Sequence, residues 1–100
     1  MADFEWDPEK ESFNLRKHGI DFTTALLIWE NPVYERADKR RDYGESRFVA
    51  FGTVVDHVLA IVYTPRGEAR RIISARKANA REKVLYETEI GPRARPAPSD

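Results

Sequence analysis

The segment Arg70-Arg71-Ile72-Ile73-Ser74-Ala75-Arg76-Lys77-Ala78 constrains this chain more than any other. Two β-branched residues in a row favour an extended backbone. Ser74 is a favoured helix N-cap, and Ala75 to Glu89 is rich in helix formers. The expectation is a strand that passes into a helix at Ser74. Strand alternation would put Arg70, Ile72 and Ser74 on one face and Arg71, Ile73 and Ala75 on the other. Between Arg66 and Arg81 six cations (Arg66, Arg70, Arg71, Arg76, Lys77, Arg81) meet one acid, Glu68. Guanidinium groups at a strand end beside a helix start are suited to clamping a phosphate. The plainer reading is a solvated edge strand whose arginines discourage aggregation.

Composition narrows the function classes. A chain of 100 residues forms one domain around one core. It has no cysteine, which excludes disulfides, thiolate catalysis and Cys-based zinc sites. The opening Met-Ala-Asp-Phe-Glu has neither a cationic head nor an apolar run, so it does not read as a signal peptide. Its apolar runs are too short to span a bilayer, and a cytoplasmic protein without membrane contact is expected. Net charge is zero, which argues against non-specific nucleic-acid binding by the whole surface. The charge is nevertheless uneven. Residues 1–30 hold seven acids against three bases, leaving a surplus of four cations in the remainder. One basic face on a neutral protein is therefore allowed.

Along the chain, Asp3-Phe4-Glu5-Trp6 alternates as a short strand. Asp7-Pro8 opens a helix with acids in its first turn and Arg16-Lys17-His18 in its last, complementing the dipole, and Gly19 terminates it. Its apolar content is thin, so it is expected on the surface with Lys10, Asn14, Lys17 and His18 along one stripe. Asp21 caps a second helix whose Ala25, Leu26, Ile28 and Trp29 recur at core spacing, ending at Asn31-Pro32. Strands follow at 33–36, 47–55, 58–64 and 69–75. Of these, Val58 to Thr64 is apolar on both faces and reads as the central strand. Turns are expected at Asp56-His57 and Pro65–Glu68. A last helix carries Ala78, Glu82, Leu85 and Tyr86 on one face and stops at Gly91-Pro92. The fold class is α+β: an antiparallel meander with two N-terminal helices and one C-terminal helix. One domain covers 1–90, and the proline-rich residues 91–100 read as a disordered tail.

No glycine-rich phosphate loop, HExxH pair or acidic metal cluster is present, and no cofactor is expected. Of the two histidines, His57 falls in an expected turn and reads as plain surface; His18 sits at a helix C-terminus, where a carbonyl contact or a chemical role are both open. A metal-free ribonuclease needs a group to take the 2′-hydroxyl proton, cations for the phosphorane charge and a donor for the leaving oxygen. Lys17, His18 or Glu45 could move protons; Arg47, Arg71, Arg76 and Lys77 could hold charge. Arg41 and Arg66 are further candidate RNA contacts, and Tyr63 and Tyr86 could stack a base.

Several segments together resemble one family. Phe4-Glu5-Trp6-Asp7-Pro8-Glu9-Lys10, Asn14-Leu15-Arg16-Lys17-His18-Gly19-Ile20 with Phe22, and Asn31-Pro32 are similar to the opening of the BrnT toxins. Gly44-Glu45-Ser46-Arg47, Gly52, Val62-Tyr63-Thr64, Arg71 to Ala78, Glu82 and Tyr86 extend the resemblance to about residue 89. It implies a RelE-like fold and the toxin half of a type II toxin–antitoxin pair that cleaves RNA without a metal cofactor and stops translation. It also implies a cognate antitoxin of the BrnA type, with a ribbon-helix-helix part through which alone the complex would reach operator DNA. Carried onto this chain, the motif's polar positions are Lys17, His18, Glu45, Arg47, Arg71, Ser74, Arg76, Lys77, Glu82 and Tyr86. Trp6, Gly19, Phe22 and Gly52 belong to packing and turns, and Glu82 is available to pair with an arginine of the sheet. The rival expectation is a non-catalytic module that binds a protein partner or RNA without cutting it.

Overall fold

A computed structural model describes residues 3–40 and 42–91. The elements run β1 (Asp3–Trp6), α1 (Pro8–His18), α2 (Phe22–Ala25), a 3-10 turn (Leu26–Glu30), β2 (Tyr34–Ala37), β3 (Phe48–Val54), β4 (His57–Arg66), β5 (Ala69–Lys77) and α3 (Ala80–Ile90). The strands form one sheet in the order β1-β5-β4-β3-β2. β2 to β5 are the expected antiparallel meander with β4 at the centre, but β1 lies parallel to β5, so the sheet is mixed. A four-residue edge strand with no hairpin partner in sequence carries no signal for its direction. Arg41 and residues 92–100, where an RNA contact and a tail were expected, lie outside the described residues.

Helix α1 forms as its caps dictate. The Asp7 carboxylate accepts from the Glu9 amide at 2.9 Å, Pro8 occupies the first turn, and Gly19 at φ 73° donates its amide to Leu15 O at 2.8 Å. The second N-terminal helix is shorter than expected. Only Phe22–Ala25 is α-helical, and the next five residues tighten into the 3-10 turn. Asp21 makes no side-chain cap; Glu11 of α1 instead accepts the Phe22 amide at 3.0 Å and the Trp6 indole at 3.1 Å. One carboxylate thereby ties β1, α1 and α2 together. The 3-10 turn lies so close on β3 that a Cβ at Gly52 would stand 2.7 Å from Ile28 Cβ.

The strand-to-helix switch expected at Ser74 is corrected. β5 continues to Lys77, with Ser74, Arg76 and Lys77 opposite Val62, Ala60 and Leu59. Ser74 has Lys77 three residues on and cannot complete a capping box. Asn79 has Glu82, and the two cap reciprocally: Glu82 N to Asn79 Oδ1 at 2.8 Å and Asn79 N to Glu82 Oε1 at 2.9 Å. The expected alternation also fails. A bulge shifts the register between Val62–Ser74 and Tyr63–Ile72, leaving Ile73 as the extra residue. Ile72 and Ala75 consequently share one core face, while Ser74 and Arg76 turn to the other.

The turns are also displaced by a residue or two from their expected places. β4 starts at His57, so the first turn is Val55-Asp56, and β4 continues through Pro65 and Arg66 to a turn at Gly67-Glu68. Val55 adopts φ 55°, a left-handed conformation that is unfavourable for a β-branched residue.

The sheet is covered on both sides. Against one face, Phe22, Ala25 and Ile28 pack on Ala50, Ile61, Ile72 and Ala75, all fully buried. On the other, Tyr86 and Ile90 of α3 pack on Phe51, Ala60 and Val62.

Candidate active site

Beyond the end of β1 the edge of β5 has no strand partner among the described residues, and α1 lies there instead. Its attachment is Asn14, 3% exposed, which corrects its expected place on a surface stripe. The Asn14 amide copies a backbone unit: its Nδ2 donates to Ala75 O at 2.8 Å and its Oδ1 accepts from Ala75 N at 3.0 Å. Nδ2 also donates to Ile20 O at 2.9 Å. All three contacts satisfy buried backbone groups that would otherwise be orphaned. A helix-interior Asn, poor for the helix itself, was the available signal in the sequence.

Docked this way, α1 and β5 enclose a groove of ≈ 660 Å³. Lys17 and His18 from the last turn of α1 face Ser74 and Arg76 from β5, with Lys10, Phe13 and Ile73 completing the walls. Three of the six candidate catalytic residues thus meet from opposite ends of the chain. The bulge brings Ser74 and Arg76 to this side.

Arg76 is held in place. Its Nη1 and Nη2 donate to the two carboxylate oxygens of Glu82 at 2.7 and 2.9 Å. This fork raises the Arg76 pKa and lowers that of Glu82, in both cases mainly through the hydrogen bonds themselves. Because Glu82 is itself locked into the α3 cap, the guanidinium is positioned by a rigid element. The pair forms one wall of a second hollow, ≈ 360 Å³, that also contains Arg36, Asp38 and Arg40. There the Asp38 carboxyl is held at a pKa of about 2 chiefly by hydrogen bonding from the Arg40 side chain, at 2.9 Å to each oxygen. Arg36 lies over the Phe51 ring, 5.4 Å from its centroid.

The remaining candidates lie elsewhere. Glu45 and Arg47 pair with each other at 3.1 Å in a separate hollow of the β2–β3 loop, where Arg47 sits 4.0 Å over the Tyr43 ring and Arg66 approaches Glu45 at 3.9 Å. Arg71 is bound to Glu5 of β1 at 2.8 Å. Lys77 lines a hollow beside His57 and Lys83.

Two expectations are corrected outright. Tyr63 is 6% exposed, its hydroxyl donates to Glu35, and burial pushes its pKa up. Tyr86 is 2% exposed and donates to Pro32 O at 2.8 Å. Neither ring has a face available to a base, because both serve as core residues. The cation run is divided as well. Arg70 turns to the opposite face of the sheet, within 5.8 Å of the Phe4, Trp29 and Tyr63 ring centroids.

Among the described residues no group of three or more His, Asp or Glu side chains could hold a metal ion. No helix among them is long and apolar enough to cross a membrane.

No curated protein matches the chain. The sequence model of one family, described as the ribonuclease toxin, BrnT, of type II toxin–antitoxin systems, does match, over residues 6–82. That span begins at the Trp6 that packs beside α1 and ends at the Glu82 that holds Arg76, so it takes in both walls of the groove. By that match over most of its length, the chain belongs to the BrnT family of ribonuclease toxins.

Proposed function

We propose that this chain is a RelE-like endoribonuclease that cuts RNA without a metal ion, with its reaction centre in the groove between α1 and β5. The observation that carries the reading is the meeting of Lys17, His18, Ser74 and Arg76 in one groove. In the reaction, the 2′-oxygen of the substrate attacks the adjacent phosphorus. One groove side chain takes the 2′-hydroxyl proton, and another gives a proton to the departing 5′-oxygen. The bond to that oxygen breaks, leaving a 2′,3′-cyclic phosphate and a 5′-hydroxyl. Arg76, pre-aimed by Glu82, holds the charge that develops on the phosphorane oxygens. Lys17 and His18 are the proton-handling groups within the groove. Glu45, Arg47, Arg66, Arg71 and Lys77 act further along the RNA, as contacts to flanking phosphates or in the adjustment of the loop. Cleaved RNA stops translation in the cytoplasm, and a BrnA-like antitoxin covers the groove and neutralises the activity.

The test is incubation of the purified chain with a defined RNA in excess EDTA, followed by end-group analysis. Cyclic or 3′-phosphate ends, lost in Arg76→Ala, are the expected result. RNA left intact by folded, partner-free protein, both alone and with ribosomes, overturns the enzymatic reading.

A binding-only module is favoured by one observation. Arg47, Arg71 and Arg76 each have a carboxylate partner, which offsets part of the positive charge each presents to a phosphate. Growth arrest on expression of the chain alone, relieved by Arg76→Ala, decides for the enzyme; absence of arrest decides for the module.

A further inference from the structure

All eleven aromatic side chains lie among the described residues, and Phe13 is the one that is exposed, at 58%. A lone exposed apolar residue is ordinary on a protein surface. Its position here is not ordinary, because Phe13 lines the groove that holds Lys17, His18 and Arg76. Lys10 and Lys17, three residues before and four after, flank it on the same side of α1, and Lys17 Nζ lies 5.8 Å from its ring centroid. Phe13 has no role in the core: it belongs to neither hydrophobic cluster, and α1 is attached through Asn14 beside it. An aromatic face bordered by cations beside a charged groove is what a single strand of nucleic acid uses. Bases stack on the ring, and the cations follow the backbone.

Resting on the ribonuclease reading, we propose that Phe13 is the base-stacking platform of the substrate site. It takes the nucleobase next to the scissile phosphate while that phosphate lies by Lys17 and Arg76. The substrate class that follows is single-stranded RNA, or RNA with an unpaired nucleotide at the cut, because a base held in a duplex cannot reach the ring. Stacking is tolerant of base identity, so Phe13 supplies affinity and placement rather than a sequence preference.

The experiment uses the full chain and a single-stranded RNA whose cut position has been mapped. Abasic residues are placed in turn on either side of the cut. Phe13→Ala is expected to lower kcat/KM by roughly 5–150-fold, the range for losing one base–aromatic stack, and Phe13→Trp to restore it. An abasic residue at the stacked position should cost the unmodified chain a similar factor and cost Phe13→Ala little more. Several results overturn the proposal: unchanged kcat/KM in Phe13→Ala, full activity in Phe13→Leu, an undiminished abasic penalty in Phe13→Ala, or an effect on antitoxin binding alone. Failure of the ribonuclease reading is separable. If the unmodified chain cuts nothing, quenching of a single-stranded oligonucleotide carrying 2-aminopurine still decides. Quenching lost in Phe13→Ala supports the platform, and quenching unchanged or absent rejects it.

Discussion

Arg70 and Arg76 lie six residues apart on β5, yet they occupy opposite sides of the sheet and do different work. Arg70 sits among Phe4, Trp29 and Tyr63 with Glu35 at 3.8 Å, on the side covered by α2 and the 3-10 turn. Arg76 lies on the side covered by α3, its fork on Glu82 and its edge in the groove. The contrast teaches that a run of cations in sequence is not a site. A strand distributes its residues between two faces, and the same guanidinium packs among rings on one and pairs with a carboxylate beside a groove on the other.

The sharpest way to break this comparison is to remove each arginine in turn. Arg76→Ala should lower RNA cleavage by about 10²–10³, the usual loss for one preorganised donor at developing charge. Arg70→Ala should leave cleavage per folded molecule nearly unchanged and cost about 1–2 kcal/mol of stability through its lost ring contacts. Rates measured beside chemical denaturation separate the two, and equal rate losses would refute the division.

Asn14→Ala tests the junction between the two sides. It orphans the buried Ala75 amide and carbonyl and should cost about 1–3 kcal/mol for each group left unpaired. Because α1 carries Lys17 and His18, cleavage should fall as well, even at temperatures where the variant is fully folded.

Gly52→Ala probes only the side under the 3-10 turn. A Cβ there meets Ile28 at 2.7 Å, so overpacking should cost about 1–3 kcal/mol. Activity per folded molecule should stay near that of the parent; a large rate loss would show that the two faces are coupled.

The smallest effect is on pH dependence. Asp38 has its pKa lowered from 3.8 to about 2 in the folded chain. A depressed carboxyl pKa contributes stability that is fully present above the unfolded value and is lost as pH falls through the folded one. Stability should therefore decline between about pH 4 and pH 2, with Glu82, also lowered, adding to the loss. Asp38→Asn should flatten that part of the profile, read as unfolding midpoint against pH.

What the sequence could determine was local. Asp7, Pro8 and Gly19 set the ends of α1, because caps act within one turn. The apolar run of Val58 to Thr64 marks the central strand, because burial on both faces is legible in the composition of the strand itself; Gly52 was placed among packing and turn residues by the family resemblance, and it lies against Ile28. The family resemblance rested on short ordered strings, and the match over residues 6–82 agrees with it.

Tertiary structure decided the rest. β5 extends past Ser74 because β4 offers ladder partners on one side and Asn14 a substitute strand on the other. The bulge at Ile73 reverses which arginines face the groove, and its register is set by pairing with β4 across the hairpin, which the alternation of β5 alone does not disclose. Tyr63 and Tyr86 are core residues because sheet and helix close over them, while Phe13 stays exposed because α1 is attached through its neighbour. Hydrogen-bonding patterns confined to one turn can be read from a single segment. Where α1 docks to complete the groove depends on contacts between residues about 60 positions apart, and only the folded chain brings those together.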